Sequence, residues 1–187
     1  ALLARVEVIR GELTNLRAME RPDSAALFRW LNDQEVMRNW GFGEAIVSRA
    51  RIEAEIEDWL EDERVSGGPV ALVIEDLEGE PIGFALLREG RRLDRTSELS
   101  LMIGERDRWG QGLGSDALDA LIEACFGAWG LHRLSAKSEA GNERAHRWLR
   151  RAGFRQEGVL RDASYYDGAF HDQLVFGLLA TDERRDE

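Results

Sequence analysis

The sequence predicts one α/β domain, a mixed, mostly antiparallel central sheet flanked by helices. Three observations predict it. Apolar residues at helical spacing alternate along the chain with short runs of buried-strand character. The elements come in the order strand, helices, three strands, helix, strand, helix, two strands, which suits a mixed sheet better than either pure class. Only 3 prolines occur, no Pro/Gly/Ser-rich linker divides the chain and no internal repeat is visible, so residues 1–187 read as one domain with a core over about 12–180.

The elements follow in order. Leu13, Leu16 and Ala18 suggest a short first strand. Pro22-Asp23-Ser24 is a helix start, with Leu27, Trp30 and Leu31 at helical spacing behind it. Asn39 to Gly43 (NWGFG) is a turn-rich break carrying two aromatics. Ser48 can cap a second helix, on which Ile52, Ile56, Trp59 and Leu60 recur at i, i+4, i+7 and i+8, and Gly67-Gly68 ends it. Val70 to Glu75 and Ile82 to Leu87, joined by the turn LEGEP, read as a hairpin, and Thr96 to Ile103 as a third strand. A glycine-rich turn at 109–114 leads into a helix from Ser115 to Phe126, with Ala117, Leu118, Leu121, Ile122 and Cys125 on its apolar face. Leu131 to Lys137 is strand-like, and Asn142 to Ala152 is helical until Gly153 stops it. Arg155 to Tyr166 and Gln173 to Leu179 are the last strands, with Asp167-Gly168 as a hairpin turn. The polar tail, 181–187, should fray.

Composition excludes several classes. With 25 Lys+Arg against 36 Asp+Glu, the net charge of −11 argues against a nucleic-acid backbone as partner and leaves room for a cationic amine. The first thirteen residues are too short and too charged for a signal peptide, and no apolar run reaches the roughly 20 residues of a membrane helix, so no membrane role and a cytoplasmic location are expected. One cysteine, Cys125, rules out an internal disulfide or a Cys-based zinc site, and three scattered histidines do not make a metal centre, so no metal is expected.

The most informative stretch is Arg108-Trp109-Gly110-Gln111-Gly112-Leu113-Gly114-Ser115. Glycines at alternate positions let the backbone turn tightly with N–H groups outward, and the helix N-terminus behind them favours an anion such as a diphosphate. Neither the G-x-x-x-x-G-K-[ST] phosphate loop nor the G-x-G-x-x-G fingerprint is met, and the same turn also serves as an ordinary tight strand-to-helix connection. A second stretch, N-E-R-A-H-R-W-L-R-R-A-G-F over 142–154, supplies a capped helix ending in Gly-Phe.

Taken together, the chain resembles the GNAT superfamily of N-acetyltransferases, and within it the branch of the ribosomal-protein N-terminal and spermidine acetyltransferases. The resemblance rests on Glu98-Leu99-Ser100-Leu101-Met102-Ile103-Gly104, the turn at 109–114, Asn142 with Ala145, Gly153-Phe154, Glu157-Gly158, Asp167-Gly168 and His171-Asp172, in order and at matching spacing. It implies a single-domain acetyltransferase fold with acetyl-CoA as acyl donor. Arg108 through Ser115 would then hold the pyrophosphate, backbone groups of Met102 and Ile103 the pantetheine arm, and Asn142 the cofactor from the next helix. Ala145 and Trp148 either line its thiol end or, for Trp148, serve as plain core. A homodimer is the family-level expectation.

The chemistry needs a free amine lone pair, a held thioester and a proton for the thiolate. Deprotonating a lysine-like amine at pH 7 costs roughly 4.6 kcal/mol, against about 1 kcal/mol for an α-amino group, so a base matters most for a polyamine. Glu98 is the candidate base, directly or through water, with an ion-paired strand residue as the plain alternative. Asp172 is a weaker second. The acid is missing: the position of the family's usual Tyr is Leu149, and that of the alternative Ser is Ala145. Tyr165, Tyr166, Ser100 or water would have to serve. Trp40 and Phe42 are candidates to wall an acceptor pocket, Glu44 and Asp33 to draw in a cationic amine, and His146 to approach the site or lie on the surface. The expected activity is direct acetyl transfer in a ternary complex to a primary amine, a small cationic molecule or a protein N-terminus. A non-catalytic acyl-CoA-binding or sensor domain is the alternative.

Overall fold

The computed structural model describes residues 7–38, 40, 46–66, 71–89 and 92–182. Phe42, Glu44, most of the break at 39–43, the Gly67-Gly68 stop, Val70 and most of the tail lie outside the described residues.

Among the described residues eight strands form one sheet in the order β1-β2-β3-β4-β5-β6-β8-β7. They are β1 (Val8–Arg10), β2 (Thr14–Ala18), β3 (Ala71–Asp76), β4 (Pro81–Glu89), β5 (Thr96–Ile103), β6 (Arg133–Glu139), β7 (Arg155–Tyr166) and β8 (Ala169–Leu179). Every neighbouring pair is antiparallel except β5 with β6, as the mixed-sheet expectation required. The helices are α1 (Ser24–Leu31), α2 (Gln34–Met37), α3 (Arg49–Ser66), α4 (Leu113–Phe126) and α5 (Glu143–Arg151). Among the described residues no helix is long and apolar enough to cross a membrane.

Two cores lie on opposite faces of the sheet. One packs α4 and α5 against Leu72, Ile74, Leu99, Leu134 and Phe176. The other packs α1 to α3 against Val73, Phe84, Leu86 and Met102, with Trp30 stacked on Phe84. Strand residues therefore alternate between the two cores, because successive side chains point to opposite faces. On β5 the odd residues face α4 and the even ones, Glu98 among them, face the α1–α3 side.

Local chemistry explains the boundaries. Ser48 accepts from the Arg51 N–H at 3.2 Å and caps α3 as predicted. Asp167-Gly168 turns β7 into β8 with φ of +51° and +74°, the left-handed pair of a two-residue hairpin. Because that turn fixes the register at Tyr166↔Ala169, β8 begins at Ala169 and not at Gln173. β1 and the one-turn α2 are absent from the predicted order. α2 exists because Asp33 accepts from the Glu35 and Val36 N–H groups and so caps it. α4 starts at Leu113, two residues before its predicted start, because Gly112 acts as its N-cap.

Candidate active site

The site begins with a divergence of strands. β5 and β6 pair only at Thr96–Glu98 with Arg133–Ser135. Beyond that, β5 stays paired to β4 as far as Ile103, and β6 stays paired to β8 as far as Glu139. The gap between Leu99–Leu101 and Ala136–Glu139 opens a cavity of about 340 Å3, which also touches Trp40, Asn142, Trp148 and Leu149. A second cavity, about 550 Å3, lies along the glycine turn and α5. Trp40, Leu101, Asn142, Ala145 and Trp148 wall both.

The second cavity is built for an anion. Gly110 and Gly112 have φ of +78° and +82°, a left-handed conformation that a side chain would oppose. The backbone N–H groups of Gly110 through Gly114 carry no hydrogen bond to the described residues, and they stand at the N-terminus of α4. The turn is braced: Gln111 Nε2 donates to the Asp107 carbonyl at 2.7 Å, and Trp109 Nε1 donates to that of Ile103 at 2.9 Å. Gly110, Gly112, Leu113, Gly114 and Ser115 line the cavity with Trp109. Gly104 N–H donates to the Ile82 carbonyl. The two-residue alternation of an antiparallel ladder then turns the backbone groups of Met102 toward β4 and those of Leu101 and Ile103 toward the open side. Met102 and Ile103 thus both line the cavity, and Ile103 turns its N–H to the open side while its carbonyl accepts from Trp109.

Its cations include the expected Arg108 and three more. Arg108 lines the cavity but is ion-paired at 2.7 Å to the buried Asp76. Arg144, Arg147 and Arg151, from α5, complete the basic wall, and the Arg144 guanidinium lies 5.6 Å from the Trp109 ring centroid. Their i, i+3, i+7 spacing placed them on one helix face and was the signal in the sequence. Asn142 caps α5, its Oδ1 accepting from the Ala145 N–H at 3.1 Å, and lines both cavities.

The first cavity carries two carboxylates, Glu98 and Glu139, and two cations, Arg88 and Lys137. Glu98 receives Lys137 Nζ at 2.7 Å and stands 3.7 Å from Arg88. Glu139, only 7% exposed, accepts from Ser164 Oγ at 2.7 Å and Gln173 Nε2 at 2.9 Å through Oε1 alone. Its Oε2 and the neighbouring Ser138 Oγ are buried without a hydrogen-bond partner among the described residues. Neither residue was singled out in the sequence, since a Ser-Glu pair on a strand looks like a solvated face. Leu149, at the usual Tyr position, lines the cavity, as does Ser100. Tyr165 is exposed against Phe170, while Tyr166 stacks on His171, and neither lines it. Burial, and then the charges of Glu139 and Asp167, push the Tyr166 hydroxyl above its ordinary range. His146 is buried, not on the surface, with Nε2 3.0 Å from the Glu139 carbonyl oxygen. Asp172 accepts from the Asp162 N–H and shapes the β7 bulge.

A family model described as an acetyltransferase (GNAT) domain matches residues 14–155. The L-methionine sulfoximine/L-methionine sulfone acetyltransferase of Pseudomonas aeruginosa is 34% identical over 130 residues, covering 68% of this chain and 73% of that one. The aminoglycoside N(6')-acetyltransferase type 1 of Klebsiella pneumoniae is 28% identical over 161 residues, 80% of this chain and 78% of its own. Spermidine N-acetyltransferase from Vibrio cholerae, solved in complex with CoA and spermine, superposes with a TM-score of 0.80 at 22% identity, covering 91% of this chain and 97% of that one. The chain belongs to the GNAT family of N-acetyltransferases, whose acyl donor is acetyl-CoA.

Proposed function

We propose that this protein transfers an acetyl group from acetyl-CoA to a small cationic primary amine, directly and within a ternary complex. One observation carries the reading: two cavities of opposite chemistry meet where β5 and β6 part. Free N–H groups and arginines without a facing carboxylate cluster border one of them, and two carboxylates, Glu98 already holding Lys137 in the place an ammonium would take, border the other. A donor held by Gly110 through Ser115, Arg144, Arg147 and Arg151 would bring its thioester toward the shared wall of Asn142, Ala145 and Trp148. There Leu101 would offer its backbone groups, and Ile103 its N–H, to an extended amide arm. The acceptor would enter from the α1–α3 side, past Trp40.

Glu98 is the proposed proton acceptor. An incoming ammonium has to take the place of Lys137 on its carboxylate. Glu139 supplies a second negative charge with one uncommitted oxygen. Apolar Leu149 and Ala145 leave the departing thiolate to Ser100, Ser138 or water, a tolerable outcome for a thiol whose reference pKa is about 8.5. Those apolar positions also favour the second reading, an acyl-CoA-binding domain without turnover.

Thiol release from acetyl-CoA across a panel of polyamines, aminoglycosides, amino acids and N-terminal peptides tests the proposal. Release with cationic small amines is expected. Release with peptides alone would move the acceptor to a protein N-terminus, and no release despite donor binding would leave the second reading. Glu98→Gln should lose rate at neutral pH and regain part of it at high pH, where the amine deprotonates unaided.

A further inference from the structure

The chain has 25 Lys and Arg residues, and one of them, Lys137, is lysine. It lies on β6 two residues past Ser135, where pairing with β5 ends, and its side chain lines the cavity between the parted strands. Its Nζ is 2.7 Å from Glu98 Oε2, and the side chain is 42% exposed. Ion pairing alone gives no reason for lysine here. A guanidinium would pair with Glu98 at least as well, through a bidentate fork, and arginine fills every other basic position of the chain. Lysine differs in one respect that matters in this place. It can give up its proton and become a nucleophile, which a guanidinium with a pKa above 12 does not do.

The surroundings match that chemistry. A primary amine stands on the acceptor side of the cavity, in contact with the carboxylate proposed to take a proton from an acceptor. Across the cavity are Asn142, Ala145, Trp148 and Leu149, the wall shared with the donor cavity or adjoining it. A primary amine of this chain therefore already stands where the proposed acceptor would meet Glu98.

We propose that Lys137 is a self-acetylation site, and that it is acetylated from the donor bound in its own chain when no external amine is present. The inference rests on the donor-site reading above. In the step, the ammonium proton passes from Nζ to Glu98. The Nζ lone pair attacks the thioester carbonyl, the C–N bond forms, and the C–S bond breaks. The thiolate leaves and takes the nitrogen's second proton, directly or through water, to become CoA thiol, and Glu98 gives the first proton to solvent. The product is a neutral amide, which can no longer ion-pair with Glu98. Acetylation would thereby release that carboxylate for an external ammonium, so the modified chain should bind cationic amines more tightly than the unmodified one.

Intact-mass measurement after incubation of the full chain with acetyl-CoA alone tests this, because only one lysine can report. One added acetyl group, about 42 Da, is expected on the wild type, mapping to the peptide with Lys137. It should be missing from Lys137→Arg and slowed at least tenfold in Glu98→Gln. An equal mass gain in Lys137→Arg, or a site elsewhere, overturns the proposal. So does an unmodified wild type. In that case a thermal shift with CoA separates the causes: a shift retained means that the donor site stands and the self-acetylation fails, and a shift lost means that the donor-site reading has failed with it. Lys137→Arg should keep the CoA shift, which shows that the variant is folded.

Discussion

Asp116 fastens the sheet edge to the helix that presents the glycine turn. Its carboxylate accepts from the Glu12 N–H at 2.8 Å, the Leu13 N–H at 3.0 Å and the Thr14 hydroxyl at 2.6 Å. All three donors sit in the β1–β2 hairpin, a hundred residues away in sequence, and Asp116 stands in the first turn of α4, where negative charge is favoured. Asp116→Ala removes three acceptances that are not equal. Thr14 is fully buried, so its hydroxyl is left without a partner, at about 1–3 kcal/mol. Water can replace the carboxylate at the two exposed N–H groups, which leaves about 0.5 kcal/mol each. Loss of the charge at the helix start adds about 0.3–1 kcal/mol. The expected destabilisation is about 2–5 kcal/mol in urea unfolding. Thr14→Val in the Asp116→Ala background should then be neutral or stabilising, which gives a coupling of about 1 kcal/mol or more in a double-mutant cycle. A single-variant loss below about 0.5 kcal/mol, or additive variants, would refute the reasoning: the hairpin would then be held by its apolar contacts alone.

Arg151→Gln should weaken CoA binding about tenfold in calorimetric titration, while Arg108→Gln should act chiefly on stability, since that guanidinium is committed to Asp76. Burial pushes the Cys125 thiol up to about 12, so a thiol reagent at pH 8 should label the native chain only as fast as it unfolds. Hydrogen bonds from Arg133 hold Glu157 below the usual carboxylate range. At Glu105 partial burial pushes the carboxyl up, but the hydrogen bonds from Arg29 and Trp30 outweigh it and leave it low. Both bind protons more weakly folded than unfolded, so their contribution is present above the unfolded value near about 4.3 and is lost as pH falls through the folded values. Glu157→Gln should flatten the acid limb of stability by a few tenths of a kcal/mol, since solvent screens this half-exposed pair.

Legibility in the sequence followed how local each cause is. β5 and β7 begin and end where their apolar pattern and turn residues predict, because alternation and a Gly turn act within a few residues. β1 has three residues and one buried position, Ile9, so it shows no period at all. The start of α4 was obscured because glycine reads as turn, while in the structure Gly112 caps and Leu113 is already helical. In the site, the glycine turn was visible for the same local reason. The contact of Lys137 with Glu98 was not, since it spans 39 residues and exists only because β5 and β6 run parallel for three residues before parting. Glu139 was passed over because nothing in its neighbours announces burial; strands from the far end of the chain, with Ser164 and Gln173, enclose it.

The net charge of −11 sets the chain's overall field against a polyanionic donor, and the arginines of α5 set the local field for it. Screening decides between them. At physiological ionic strength the Debye length is about 8 Å, so acids on the far faces of the sheet scarcely reach the donor cavity, while Arg144, Arg147 and Arg151 border it directly. The sign of the salt dependence tells which field governs. If the overall field ruled, added salt would relieve repulsion and tighten CoA binding. With the local arginines in control, salt must weaken it, and the dependence should shrink when one of them is removed. On the proposed acceptor side, where Glu98 and Glu139 stand with Arg88 and Lys137, an ammonium would be held by the two carboxylates and screened in the same way. Salt should therefore weaken acceptor binding as well, and a variant that neutralises Glu98 should lose part of that dependence while the donor's is unchanged.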